Sequence, residues 1–265
     1  MENEKLLDLA NDPRFIPGIF NYCDRWCERC TMTTRCLLFA TLKETNSDSA
    51  DLDMNNAEFW QDLQQIFQQT LELIKSWAEE HGIDLEAAVR DADVSEIASR
   101  KDRAGNHELV QAARRYAGSV ERWFSEPVPR GGSVPVESAI QSDERDAGTA
   151  GQDLDEHTQD AVEIIRWYQH QIMVKLFRGL SGDDEEASVE NDWQRDADGS
   201  VKVALIGMDR SIMAWGTMLR AFPDRATVIR PILLDLEQLR RRAEQVFPRA
   251  REFTRPGFDI SPLVS

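Results

Sequence analysis

Apolar residues recur at steps of three and four along most of this chain, which is the spacing of one face of an α-helix. The segment 57–81 shows the pattern most clearly, from Phe59 to Trp77, and Gly82 is placed to end it. The last periodic segment is expected to begin at Pro231, because proline is tolerated in the first turn of a helix. This last helix is expected to run over 231–246, and the same spacing predicts the other helices over 85–98, 106–125, 155–180 and 200–222. No strand-like alternation of useful length occurs, so the sequence predicts an all-α fold, a bundle of about five to six helices with long polar loops.

Polar stretches between these segments suggest how the chain is organised. Residues 126–152 contain three prolines and few large apolar side chains, which is typical of a linker or a long crossover loop. The predicted parts are a cysteine-bearing, metal-binding segment over 1–42 that packs on the bundle, a first helical part over 57–125, the linker over 126–152, a second helical part over 153–247 and a C-terminal tail over 248–265.

All four cysteines of the chain lie in one stretch, residues 15–39, which reads FIPGIFNYCDRWCERCTMTTRCLLF. They are Cys23, Cys27, Cys30 and Cys36, with the spacing C-x3-C-x2-C-x5-C. Cysteines that only fill a core are scattered along a chain. Four thiols within fourteen residues instead indicate a single site in which all four bind one metal centre.

The spacing indicates how the thiols converge. If residues 21–29 are helical, Cys23 and Cys27 are four residues apart and Cys30 follows three later, so three thiols share one helical face. The five-residue gap then lets the chain turn and return Cys36 as the fourth ligand. A [4Fe–4S] cluster and a structural zinc ion both accept four thiolates. Zinc sites usually use two well-separated cysteine pairs, so this crowded run favours the cluster, with zinc as the alternative.

The run over 27–40, CERCTMTTRCLLFA, resembles a segment of the WhiB-like actinobacterial iron–sulfur regulators, which typically reads C-x-x-C-P-x-x-x-x-C-L-x-[YF]-A. Leu37, Phe39 and Ala40 match that pattern, while Thr31 stands where the family has proline. The family's later glycine–tryptophan turn and basic tail are missing, so the resemblance does not imply DNA binding. The [4Fe–4S] ligands that it implies are Cys27, Cys30 and Cys36, with Cys23 as a fourth ligand closer than in that family.

Charge and hydropathy narrow the classes of function. The 265 residues carry a net charge of −17, which argues against a general nucleic-acid binder and against an anionic membrane surface. No apolar run of about 20 residues is present to form a transmembrane helix. The first residues lack the apolar centre of a signal peptide, so we expect a cytoplasmic protein with reduced thiols. A protein partner is possible, and the oligomeric state is left open.

A second group of polar residues lies on the predicted helices. Glu163 and His170 are seven residues apart, on one face of the 155–180 helix, and Asp209 lies among apolar neighbours in the 200–222 helix. Inward carboxylates with a histidine are the components of a metalloenzyme site in a helical bundle, although the usual Glu-x-x-His motif is missing here. The alternative interpretation is a set of carboxylate–arginine pairs with an ordinary histidine.

Three hypotheses about function follow. The first is a [4Fe–4S] protein that senses oxidants or iron or transfers electrons. The second is a structural or interaction protein held together by zinc. The third is a helical-bundle metalloenzyme with a site near Glu163, His170 and Asp209. Whether the protein is an enzyme at all stays open at this point.

Overall fold

The computed structural model describes Leu9 and residues 11–44, 68, 70–72, 74–87, 94–125, 155–182 and 196–259. All regular structure within these residues is helical, so the predicted all-α class is confirmed. The α-helices with complete bounds are α1 (Leu37–Glu44), α2 (Val94–Asn106), α3 (Glu108–Ser125), α4 (Glu156–Gly182), α5 (Asp196–Ala221) and α6 (Ala226–Val246). Short 3₁₀ turns are formed by Ile19–Tyr22, Cys27–Arg29, Thr33–Arg35 and Pro223–Arg225. The predicted linker, 126–152, lies outside the described residues.

The chain divides into two compact units. One comprises Met1–Ser99 together with Arg255–Ser265, and we call it the cysteine unit. The other comprises Arg100–Thr254, and we call it the helical unit. A short stretch near the C-terminus therefore belongs with the N-terminal cysteines, although about 220 residues separate them in sequence.

Four helices of the helical unit enclose its core. Helix α4 packs along α5, α5 packs on α6, α6 on α3, and α3 on α4, so the four helices form a closed ring. The close approach of α4 and α5 requires glycine at Gly207, since a Cβ there would lie 2.8 Å from the ring of Tyr168. The residues of α3 that the pattern places inward are all buried: Leu109, Ala113, Tyr116, Val120 and Trp123. This ring is the arrangement of a four-helix bundle.

Three aromatic side chains contact one another in the core between the four helices. The indole N–H of Trp215 donates a hydrogen bond to the hydroxyl of Tyr116 at 3.2 Å. The rings of Trp123 and Trp215 meet edge to face, with centroids 5.6 Å apart. Burial raises the pKa of Tyr116 to about 12, so its hydroxyl stays protonated and can accept this bond across the physiological range.

The predicted start of the last helix at Pro231 is wrong. Helix α6 begins at Ala226, directly after the 3₁₀ turn Pro223–Arg225, and Pro231 lies inside it. Proline removes one backbone hydrogen bond but does not end the helix, because Ile229 and Ile232 on either side of it are buried against the core. Packing of the apolar face therefore outweighs the tendency of proline to interrupt a helix.

The helix predicted over 57–81 is described only in its later part. Residues 74–80 are helical, and Gly82 ends the helix with φ 66°, as predicted. The N–H of Ile83 bonds the carbonyl of Ala78, which is the Schellman pattern of a glycine-capped helix. Trp77, expected to face inward, is 54% exposed and stacks on His81.

Candidate metal centre

The cysteine segment folds as a series of turns and not as a helix. Gly18 has φ 70° and starts the turn Ile19–Tyr22, after which the chain becomes extended at Cys23. The Asp24 carboxylate then accepts a hydrogen bond from the Trp26 N–H at 3.2 Å, and Arg25 takes a left-handed φ of 58°. The predicted helix over 21–29 is therefore wrong. Nine residues are too few for a stable isolated helix, and the Asp24 side chain offers the backbone an alternative partner.

Two further turns orient the remaining thiols. The N–H of Cys30 bonds the carbonyl of Cys27 at 3.1 Å, and the N–H of Cys36 bonds that of Thr33 at 3.3 Å. Each turn therefore ends on a cysteine. A backbone bond of 3.0 Å from the Ile16 N–H to the Arg35 carbonyl closes the segment into a loop. The reversal predicted between the third and fourth cysteines is present, but it is made of tight 3₁₀ turns.

The four cysteines line one small cavity of about 20 Å³. This volume is room for about one water molecule. Only two charged residues, Asp24 and Arg25, contribute to its lining. The apolar walls are Ile19, Phe20, Trp26, Met32, Leu38, Phe39 and Phe258. The four cysteines therefore border a common space whose other lining residues are mainly apolar.

None of the four cysteines is in a disulfide bond, and all four are only partly buried. The backbone N–H of Met32 points at the Cys30 sulfur, 3.4 Å away, and the Cys23 thiol donates to the Phe20 carbonyl at 3.5 Å. Burial, followed by repulsion from the neighbouring cysteines, raises the pKa of the Cys27 thiol. The Cys27 thiol therefore favours its protonated form, and a bound cation would favour the thiolate.

The donor set fits a thiolate-bound metal centre, but the coordination geometry is not formed. Within the described part of the chain, no three cysteine, histidine, aspartate or glutamate side chains lie close enough together to hold a metal ion. A zinc ion with bonds of about 2.3 Å brings its four sulfurs to roughly 3.8 Å from one another. A four-iron cluster binds one thiolate at each iron, so its sulfurs stand further apart.

The structure places Glu163 and His170 on the exposed side of α4. Asp209 is 37% exposed and is paired with two arginines, Arg251 at 2.6 Å and Arg240 at 3.3 Å. Hydrogen bonding to Asp209 is the largest cause of the raised pKa of the Arg251 guanidinium. Asp209 therefore matches the alternative interpretation, a carboxylate engaged by arginines.

A larger groove of about 870 Å³ lies between the start of α4 and the end of α5. None of the three candidates Glu163, His170 and Asp209 lines it. Its polar side chains include Asp155, which caps α4 by accepting the Thr158 N–H at 2.9 Å. The groove contains none of the predicted site residues, whereas all four cysteines line the smaller cavity, so the cysteine cavity is the stronger candidate site.

Sequence reasoning missed two residues of the centre, Gly257 and Phe258. Phe258 lines the cavity, and Gly257 packs on the cysteine segment. A signal for them exists, because the dipeptide Pro-Gly occurs twice in the chain, at 17–18 and at 256–257. Each marks a turn with glycine in the left-handed region.

Comparisons with protein-family models, with curated proteins and with solved structures gave no significant match to this chain. The resemblance of residues 27–40 to the WhiB-like segment therefore stays a prediction from a short motif. Among the helices of the described residues, none is long and apolar enough to cross a bilayer.

Proposed function

We propose that this protein binds a [4Fe–4S] cluster through Cys23, Cys27, Cys30 and Cys36 and works as a redox protein, either sensing oxidants or transferring electrons. The observation that carries the proposal is that all four cysteines of the chain line one cavity with mainly apolar walls. When bound, such a cluster accepts and releases a single electron. The chain's own contribution is to supply the thiolates, exclude water and orient hydrogen bonds toward sulfur.

The described part of the cysteine unit has few fully buried apolar side chains, and this supports the proposal of a bound centre. Of its described apolar side chains, only Ile19 and Ala78 are fully buried. The described residues around the thiols therefore have little apolar packing to hold them in place, and the thiols form no disulfide that could do so. A metal centre would therefore take the place of a hydrophobic core in this part of the molecule.

The ligand arrangement favours a cluster. The thiols come from consecutive tight turns and are not already gathered at the short spacing of a single-ion site. The N–H that points at Cys30 is of the kind that tunes iron–sulfur clusters, since hydrogen bonds to sulfur shift the reduction potential. Arg25 also contributes to the cavity wall, and its positive charge would offset part of the negative charge of four thiolates.

Zinc is the second candidate, and the size of the cavity favours it. A space of about 20 Å³ holds one ion more readily than a cluster of eight atoms, which requires the walls to move outward. With zinc, the centre would be structural and would fix the turns of the cysteine segment without redox chemistry.

The test is purification without air, followed by iron, sulfide and zinc analysis and an absorption spectrum. The proposal expects about four irons and four sulfides per chain and broad absorption near 400 nm that fades on exposure to air. A colourless protein with one zinc supports the second candidate instead. Cys27→Ser is expected to lower the bound metal at least tenfold, because a neutral hydroxyl is a poor ligand for either centre.

The matched control is Thr34→Ser, an exposed position in the same segment that does not line the cavity. It should bind as much metal as the unaltered protein. Unaltered protein that contains neither iron nor zinc would overturn both candidates, and so would a Cys27→Ser protein that keeps its full metal content.

A further inference from the structure

The C-terminal stretch that joins the cysteine unit repeats the turn that begins the cysteine segment. In the first turn the Ile19 N–H bonds the Ile16 carbonyl around Pro17 and Gly18. In the second, the Phe258 N–H bonds the Arg255 carbonyl at 3.2 Å around Pro256 and Gly257. Gly18 and Gly257 have φ of 70° and 77°, so both are turns in which proline precedes a left-handed glycine.

The two turns pack directly on each other. A Cβ placed on Gly257 would lie 2.8 Å from Ile16 Cδ1 and 2.9 Å from Ile19 Cδ1, and 3.3 Å from the terminal methyl of Met32. There is therefore no room for a side chain at this position, quite apart from the strain that φ 77° imposes on any other residue. The contact also fixes the position of the next residue, Phe258, whose side chain forms part of the cavity wall.

An ion pair holds Phe258 in this position. The guanidinium of Arg255 donates to both carboxylate oxygens of Asp259, at 2.9 to 3.2 Å, and the Arg255 backbone N–H donates to the same carboxylate at 2.9 Å. The Arg255 guanidinium carbon also lies 5.0 Å from the centre of the Phe258 ring. These contacts fix residues 255–259 as one turn, in which the Phe258 ring contacts Arg255 and Phe258 contributes to the cavity wall.

We propose that residues 255–259 form a lid on the cysteine cavity, and that Phe258 sets how fast water, oxidants and chelators reach the four thiols. The proposal that the lid slows thiol reagents depends only on the packing described above. The proposal that it slows loss of a bound metal also rests on the function proposed above. Apolar shielding of this kind controls the stability and the potential of a thiolate-bound centre.

The test measures access to the thiols in two states of the full-length protein. In the metal-free, reduced protein, the rate of reaction with a disulfide dye is followed without air. In the metal-loaded protein, the rate of metal release to a chelator is followed. Phe258→Ala is expected to raise both rates by about tenfold, since loss of the half-buried ring removes apolar cover from the cavity wall. Gly257→Ala should act in the same direction, because its added Cβ forces the two turns apart.

Phe15→Ala is the matched control, since Phe15 is a half-buried phenylalanine of the same unit that does not line the cavity. It should leave both rates within about twofold of the unaltered protein. Phe258→Leu, which keeps an apolar side chain on the wall, should fall between the unaltered protein and Phe258→Ala. Trypsin cleavage after Arg25, Arg29 and Arg35 reports whether Phe258→Ala unfolds the cysteine segment. If it does, the rates of Phe258→Leu and Phe15→Leu are compared instead.

The outcomes separate the two proposals. Equal dye rates in the lid variants and the unaltered protein overturn the lid, whatever metal the protein binds. Faster dye reaction in the lid variants of a protein that never binds metal supports the lid and overturns the proposed function. If Phe15→Ala accelerates both reactions as much as Phe258→Ala does, the effect is general loosening of the unit and the lid is again overturned.

Discussion

Different interactions stabilise the interior of each of the two units of this molecule. In the helical unit, large side chains such as Trp123, Trp215 and Tyr116 are almost completely buried between helices. In the described part of the cysteine unit only Ile19 and Ala78 reach that degree of burial, and the chain is held in shape by short turns. A packed core stabilises a fold without any ligand, whereas under the function proposed above the cysteine segment would gain stability from a bound centre. The difference predicts that the two units respond to different perturbations.

The largest effect is expected from a cavity in the helical core. Trp215→Ala removes a fully buried side chain and leaves the Tyr116 hydroxyl without the N–H that donates to it. The free energy of unfolding of the helical unit should fall by about 3–5 kcal/mol, measured by urea denaturation. Met213→Ala on the same helix, where the side chain is 74% exposed, should change it by less than about 0.5 kcal/mol. Equal effects of the two substitutions would contradict the packed-core description.

A smaller effect is expected from Asp209→Asn. The carboxylate of Asp209 is partly exposed and bonds Arg251 and Arg240, so its removal should cost the helical unit up to about 1 kcal/mol. The loss should shrink as salt is added, because screening weakens the original pair. Glu244→Gln weakens the other ion pair of Arg251 and serves as the comparison. Its loss of stability and the effect of salt on that loss should be similar. A change in bound metal with unchanged stability would instead revive a chemical role for Asp209.

The smallest effect is expected in how the stability of each unit depends on pH. Burial and neighbouring cysteines raise the pKa of Cys27 in the folded protein. The folded state thus keeps a proton that the unfolded chain releases, so the resulting stability is present below about pH 8.5 and is lost as pH rises through the folded pKa. The pKa of Tyr116 is raised to about 12, so its contribution in the helical unit is lost only above about pH 10.

Metal-free protein should therefore become sensitive to trypsin after Arg25, Arg29 and Arg35 at a lower pH than the one at which helical circular dichroism is lost. Cys27→Ser removes this thiol and should delay the onset of cleavage to higher pH. Simultaneous loss of both signals in the unaltered protein would mean that the units do not differ in this respect.

Periodicity predicted the helical unit best where a helix buries one apolar face, as α3 does. The inward residues of α3 and the extent of α4 agree with the pattern of the sequence. The start of α6 differs from the pattern, because Ile229 and Ile232 are packed in the core and the helix continues across Pro231. The turns around Cys23 also escaped prediction, because the bond from the Trp26 N–H to Asp24 is a local choice that a helical spacing does not reveal.

The sequence by itself determined the all-α class and the identity of the candidate ligands, since helical periodicity and the grouping of every cysteine in one segment are visible in one dimension. Only the tertiary structure decided that the thiols line a common cavity and that Phe258 lies on its wall. It also decided that Asp209 is bonded by arginines. These facts depend on contacts between residues far apart in the chain, and backbone turns with glycine at positive φ, not side-chain periodicity, bring Phe258 to the cysteines.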